Sequence, residues 1–345
     1  MNSLSAVLRT AVSRRSRILM VRASSSTKIP VPNALLNSSN MNREQYEDFY
    51  AASTGTGSDE FWAEQARERL SWMKEFQTTR KSNLDLRNGP ISIEWFPDGE
   101  LNVSQNCIDR HIESGNGDRT AIIWEGDDSG ETRHISYKEL QKEVSRLANV
   151  LKHDLGVEKG DRVSICLPMI PETVFSMLAC ARIGAVHSVI FGGFSADAVS
   201  GRIVDCESKI VITADAGKRG NKIVPLKAIV DEAISLVPPD ELTVRSVLVV
   251  DRLGGVASGE SVKNLRDVSY DAAVEKASSV CEPIPMSSED PLFILYTSGS
   301  TGKPKGVLHT SAGYLLGASM THEHTFDHRQ GDIFWCTAGK WMQES

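Results

Sequence analysis

The residues best suited to chemistry form one run: Tyr296-Thr297-Ser298-Gly299-Ser300-Thr301-Gly302-Lys303-Pro304-Lys305-Gly306. Thr297, Ser298, Ser300 and Thr301 bring aliphatic hydroxyls, Gly299 and Gly302 bring unhindered backbone, and Lys303 and Lys305 bring charge. Backbone N–H groups and hydroxyls in such a turn can surround an anion, and a lysine adds a compact positive charge. Phosphate is the expected guest. The spacing is not that of a Walker A loop, Gly-x-x-x-x-Gly-Lys-Ser/Thr. Thr297 stands where its first glycine would be, and Pro304 follows Lys303.

A second cationic run is Asp215-Ala216-Gly217-Lys218-Arg219-Gly220-Asn221-Lys222. It follows an apolar strand over Lys209 to Thr213 and precedes a helix expected over Ile223 to Leu236. Three cations in a glycine-bearing loop at that place suit a phosphate at the carboxyl edge of a sheet. Read by itself, the run also fits a solvated basic loop.

Other constellations carry less. His322, His324 and His328 match no zinc-ligand spacing, and Glu323 and Asp327 among them suit a charged loop, so no metal site is expected. Neither Gly-x-Ser-x-Gly nor His-Glu-x-x-His occurs, which leaves hydrolase readings without support.

Alternating elements must position these runs. Leu292-Phe293-Ile294-Leu295 reads as a buried strand ahead of the hydroxyl-rich loop. Ser311 to His322 reads as a helix behind it, with Leu315, Leu316 and Met320 on one side. The loop is thus expected between strand and helix. Upstream, Ser136-Tyr137-Lys138-Glu139 is a capping box opening a helix along Leu140, Val144, Leu147, Ala148 and Leu151, closed by Gly156. Strands are expected over Thr120 to Trp124, Arg162 to Leu167, Ala185 to Phe191 and Val247 to Val250. Helices are expected over Glu172 to Arg182, ended by Gly184, and from the cap Ser195 to about Cys206. Near-continuous apolar strands separated by helices predict an α/β fold, a parallel sheet flanked by helices on both faces. Residues 41–90 read differently: aromatic-bearing acidic stretches Tyr46 to Tyr50 and Phe61 to Phe76 lie around a Thr-Gly-Thr-Gly linker, the second helical. Ile91 to Phe96 then alternates like a short strand.

The 345 residues are 40% apolar and 24% charged, a globular composition. No apolar run has transmembrane length, so no membrane span is predicted. A net charge of −7 without a basic aromatic stripe argues against nucleic acid as a partner. Six dispersed cysteines without a Cys-x-x-Cys pair suit a reduced compartment, with Cys166 and Cys180 as core residues. Residues 1–40 hold Arg9, Arg14, Arg15, Arg17, Arg22 and Lys28 and no acid, which leaves −13 on the remainder. Basic, serine-rich and acid-free is the composition of an organelle transit peptide, so a mitochondrial address is expected, with plastid or cytosol as alternatives.

The run 296–306 resembles, at eleven consecutive positions, the phosphate loop of the adenylate-forming ligases, the acyl-CoA synthetase superfamily. Ile93-Glu94-Trp95-Phe96, Phe191-Gly192-Gly193-Phe194-Ser195-Ala196 and Trp335-Cys336-Thr337-Ala338 resemble its acetyl-CoA synthetase branch, so the likeness covers about 44–338. It implies small-molecule substrates, namely ATP with Mg²⁺, acetate and coenzyme A, ligated through acetyl-adenylate. It places ATP phosphates on Thr297, Ser298, Gly299, Ser300, Thr301, Gly302 and Lys303. It places coenzyme A on Arg219, Gly220, Asn221 and Lys222, where the branch holds the 3′-phosphate region through two basic residues. Gly192-Gly193 is expected to serve tight packing.

The implied organisation is a transit peptide at 1–40, an N-terminal module at 41–104, an incomplete AMP-binding domain at 105–338 and a divergent tail at 339–345. The superfamily's C-terminal lid, with its catalytic lysine, finds no match in Gly339 to Ser345, so no catalytic or metal-binding residue can be carried over. The resemblance therefore leaves two alternatives beside an acetate–CoA ligase: a truncated nucleotide-binding fragment and a propionyl-CoA synthetase.

Overall fold

A computed structural model describes residues 31–220, 222–256, 262–298 and 302–335. The chain divides into two compact units, residues 1–47 and 48–345. In the first, Asn33–Ser38 is a short helix. The helix Arg43–Thr54 begins there and ends in the second.

In the second unit, strands Arg162–Cys166 (β1), Val186–Val189 (β2), Ile210–Ala214 (β3), Ser246–Val250 (β4), Asp267–Ser269 (β5), Pro291–Thr297 (β6) and Lys305–Thr310 (β7) form one sheet. Its order is β5-β4-β3-β1-β2-β6-β7. Six strands are mutually parallel, and only the edge strand β7 runs antiparallel, against β6. Helices Tyr137–Asn149 (α1), Pro171–Arg182 (α2) and Tyr270–Lys276 (α5) share a core with Val163, Ile165, Ile210, Ile212 and Leu248. Helices Ala196–Asp205 (α3) and Leu226–Ser235 (α4) share a second core with Val211, Val247 and Val249. Alternate residues of the same strands thus serve opposite layers, which is why β3 is buried along its whole length. This is the α/β architecture expected from the sequence.

Local chemistry fixes the helix ends. Ser136 accepts from the Glu139 N–H while the Glu139 carboxylate accepts from the Ser136 N–H, a complete capping box on α1. Ser195 caps α3 in the same sense, accepting from the Ala198 N–H. Gly184 ends the turn after α2 at φ +72°, where a side chain would be strained.

Four expectations are corrected. Thr120–Glu125 is a strand but pairs antiparallel with Thr132–Ser136, away from the large sheet. The helix expected from Ile223 begins only at Leu226: Lys222–Val224 is a strand paired with Gly217–Arg219, and Pro225 separates it from α4. The hydroxyl-rich loop does not lead into a helix. It joins β6 to β7 as a hairpin, and only then does the helix Ser311–His324 (α6) follow. The aromatic-bearing helix of the N-terminal module is Ser58–Arg69, shorter than the stretch Phe61 to Phe76. Its Ala63 and Ala66 join Phe76, Phe96, Leu101, Ala312, Leu316 and Met320 in a third core, which ties α6 to the module.

Candidate functional site

The sheet's chain order reverses beside β1. The connection from β1 through α2 reaches β2 on one side, and the connection through α3 then crosses to β3 on the other. At such a switch point the crevice outside the carboxyl ends of the strands is where open α/β sheets bind ligands. Loops 167–170, 190–195 and 215–222 leave β1, β2 and β3 there, and the hydroxyl-rich turn leaves β6 at the same edge. From β3 to β6 are three strand spacings, roughly 14 Å.

The turn has a rigid root. Tyr296 pairs with Gly306 and Thr297 with Lys305 across the hairpin. Thr297, Ser298, Gly302 and Lys303 are exposed, and Gly302 sits at φ +85°, a left-handed conformation suited to glycine. Gly299, Ser300 and Thr301 lie outside the described residues. Lys303 and Lys305 are exposed and make no ion pair with a described residue. Positive charge at a sheet edge, unpaired with any described acid and next to hydroxyls, fits an anion of several charges such as a polyphosphate.

The second cationic run is a hairpin rather than a loop at a helix N-terminus. Lys222 faces Arg219 across it, and Gly220 turns it at φ +58°. Arg219, Gly220 and Lys222 are exposed, and Asn221 lies outside the described residues. Arg219 and Lys222 make no ion pair with a described residue, whereas Lys218 is taken by Asp128. Of the three cations, two remain for a ligand.

This hairpin is braced by the aspartate that opens the run and by residues the sequence did not single out. The buried Asp215 carboxylate accepts from the backbone N–H groups of Ala216 (2.7 Å), Arg252 (2.9 Å), Leu253 (2.9 Å) and Gly255 (2.9 Å). It thereby ties the exits of β3 and β4 together. Arg252 in turn donates from Nη2 to Glu131 at 2.7 Å, with its guanidinium 5.4 Å from the Trp124 ring centroid. Hydrogen bonds from Lys218 and from Arg252 hold the Asp128 and Glu131 carboxyls below the usual carboxylate range. These partners lie 90 and 121 residues apart, so no local spacing could have signalled them.

The glycine pair after β2 behaves as packing. A Cβ on Gly192 would stand 3.0 Å from Leu226 Cδ2, and one on Gly193 2.5 Å from Phe191 Cε1 and 3.3 Å from Arg219 Nη1. Absence of side chains there brings the 191–193 loop against the basic hairpin, and the Arg219 guanidinium lies 6.0 Å from the Phe191 centroid. The histidines gather differently. His324 Nε2 lies 3.2 Å from Arg69 Nη2, while the His322 and His328 rings are 4.4 Å apart. Among the described residues no three His, Cys, Asp or Glu side chains come together as a metal site.

Comparison with known proteins gives this geometry its context. The AMP-binding enzyme family model matches residues 109–341, and the acetyl-coenzyme A synthetase N-terminus model matches residues 46–107. The chain is 53% identical over 310 residues to the acetyl-coenzyme A synthetase of Methylobacterium radiotolerans, covering 90% of this chain and 46% of that one. It is 56% identical over 293 residues to the acetyl-coenzyme A synthetase of Brucella anthropi, covering 85% and 44%. The chain thus spans about half the length of the curated relatives it matches. The solved acetoacetyl-CoA synthetase from Streptomyces lividans superposes with a TM-score of 0.72 at 24% identity, over 86% of this chain and 43% of that one, and shares the fold. These bacterial relatives overturn the mitochondrial address, and the plastid alternative with it, since their cells contain neither organelle. An arginine- and serine-rich, acid-free segment has a composition that any solvated tail can have. No helix among the described residues is long and apolar enough to cross a membrane. With the first of these models matched over more than half its length, the chain belongs to the AMP-binding enzyme family.

Proposed function

We propose that the chain is the nucleotide- and coenzyme-binding part of an acetate–CoA ligase, which joins acetate to coenzyme A at the expense of ATP through acetyl-adenylate. The observation that carries this reading is the placing of two cationic hairpins, 297–305 and 217–224, at the carboxyl edge of one parallel sheet. In the first step an acetate oxygen attacks the α-phosphate and pyrophosphate leaves. In the second the coenzyme A sulfur attacks the acyl carbonyl, AMP leaves, and the thiol proton is given up to solvent.

Phosphoryl chemistry of this kind asks the protein for in-line positioning and charge neutralisation more than for covalent help. The hydroxyls of Thr297, Ser298, Ser300 and Thr301, the amides of Gly299 and Gly302, and Lys303 would hold the β- and γ-phosphates. Arg219 and Lys222, with Gly220 and Asn221 shaping the turn, would hold the 3′-phosphate of coenzyme A. At position 222 a lysine supplies charge without the bidentate fork of an arginine. Mg²⁺ bound with the nucleotide would supply neutralisation of phosphate charge. The modular division at 41–104 and 105–338 belongs to the same proposal.

Acetate-dependent exchange of pyrophosphate into ATP tests the reading. Exchange with acetate exceeding that with propionate supports it, and a preference for propionate replaces acetate by the longer acid. A second reading, nucleotide binding without turnover, needs no more than the cationic β6–β7 hairpin. Calorimetric binding of ATP with no exchange would select it, and no ATP binding would reject both.

A further inference from the structure

The residue that opens the phosphate turn is itself held from three sides. The Tyr296 side chain lies on the α3 face of the sheet, where its hydroxyl donates to Asp205 Oδ2 at 2.6 Å. The Arg202 guanidinium, one turn earlier on α3, lies 5.4 Å from the Tyr296 ring centroid and 4.3 Å from that of Phe194. Arg202 is only 9% exposed and donates from Nη1 to its own helix at Ala198 O, 2.6 Å, with no carboxylate partner among the described residues. A guanidinium removed from water without an acid partner is costly, and aromatic faces offset part of that cost.

The third side is glycine. Gly306 is the cross-strand partner of Tyr296, and a Cβ there would lie 3.3 Å from Tyr296 Cε1 and 3.0 Å from Ile294 Cγ2. The last residue of the motif is therefore small because the ring of the first lies over it. The ends of the run thus make one unit: Tyr296 on Gly306, closing the root of the turn that carries Ser298 and Lys303. Burial, and then the bond to Asp205, raise the Tyr296 hydroxyl above the usual tyrosine range, so it stays protonated as a donor at neutral pH.

We infer that Tyr296, through Asp205 and Arg202, is a positioning residue: it fixes the root of the β6–β7 hairpin, where Ser298 and Lys303 stand, and so that hairpin's affinity for a nucleoside triphosphate. This rests on the ligase reading above. The side chain points to the face opposite Thr297 and Lys305, so it acts through the backbone and not by touching phosphate.

The test is calorimetric titration with ATP and Mg²⁺ of the full chain, with melting temperature recorded in parallel. Tyr296→Phe removes one hydroxyl and should weaken ATP roughly three- to tenfold, as loss of one charge-assisted hydrogen bond predicts. Asp205→Leu, made from the helix side, should weaken it by the same factor, and the double variant by no more than either alone. Asp205→Asn keeps an acceptor and should restore affinity to within about twofold. If the variants melt lower but bind ATP as the wild type does, the hydroxyl is merely structural and the inference falls. Additive losses in the double variant would also overturn it. Lys303→Ala separates the two levels. If it weakens ATP while Tyr296→Phe does not, the positioning role fails alone; if the wild type binds no ATP, the ligase reading fails with it.

Discussion

Lys303, Arg219 and Lys222 are exposed cations with no ion partner among the described residues, so their substitution should cost little stability and much affinity. Arg219→Ala should weaken coenzyme A by roughly tenfold or more, the scale of a hydrogen bond to a charged group. It should leave dephospho-coenzyme A, which lacks the 3′-phosphate, nearly unchanged. Equal losses for both ligands in a direct binding assay would move the 3′-phosphate away from this hairpin. Gly193→Ala tests a different kind of residue: its methyl would collide with the Phe191 ring and press on the Arg219 guanidinium. Coenzyme A binding should weaken while ATP binding holds. At this scale the residues proposed to hold ligand stand together in the chain, and those that brace them do not. The hydroxyls, glycines and lysines are contiguous, so a reader of the chain meets them together. Asp128, Glu131, Arg252 and Asp205 reach their partners over about 90 residues or more, and nothing local marks a carboxylate that will brace a distant lysine, arginine or tyrosine.

The buried strands β1, β3 and β4 and the helices α1 to α4 were legible because burial writes itself as apolar runs and helical spacing. The hairpins were not. Lys222–Val224 has only two apolar residues beside a lysine, and the Val307 and Leu308 side chains of β7 are both exposed. Short, exposed strands carry no period-two pattern: the helix expected from Ile223 extends over one, and the other passes as loop before Ser311. Two predictions belong to elements. Ser136→Ala opens the capping box and should lower stability by about 1 kcal/mol in denaturant titration, without touching either ligand. The second concerns β2, where the buried His187 lies 5.5 Å from Phe293 with its Nδ1 unpartnered among the described residues. Burial lowers its proton affinity to about 4, whereas an unfolded histidine titrates near 6.5. Between these values the unfolded chain binds the extra proton, so stability falls as pH falls, by at most about 1.4 kcal/mol per pH unit. Above pH 7 the effect vanishes. His187→Phe should flatten the difference in denaturation midpoint between pH 7 and pH 5, and an unchanged difference would assign the slope to other groups.

For the second unit as a whole, the segment before α1 and the sheet are joined by a buried polar centre as well as by apolar packing. Arg182, at the end of α2, donates to Asp109 through Nη1 at 2.8 Å and Nη2 at 2.9 Å, and Asn102 donates to the carbonyls of Ala181 and Ile284. Arg182→Met leaves the Asp109 carboxylate without its cation and should cost about 3–5 kcal/mol in urea unfolding, a large fraction of a domain's stability. Such a centre fixes the register between that segment and the sheet, and through α6 the same segment also backs the hairpin that carries the hydroxyl-rich turn. What matters most for the molecule is whether that hairpin grips a nucleotide. Titration of ATP with Mg²⁺ into the wild type and Lys303→Ala, followed by calorimetry, asks this directly. The prediction is saturable binding in the wild type, weakened roughly tenfold or more in a variant whose melting temperature is unchanged. Equal affinities in the two proteins would contradict it.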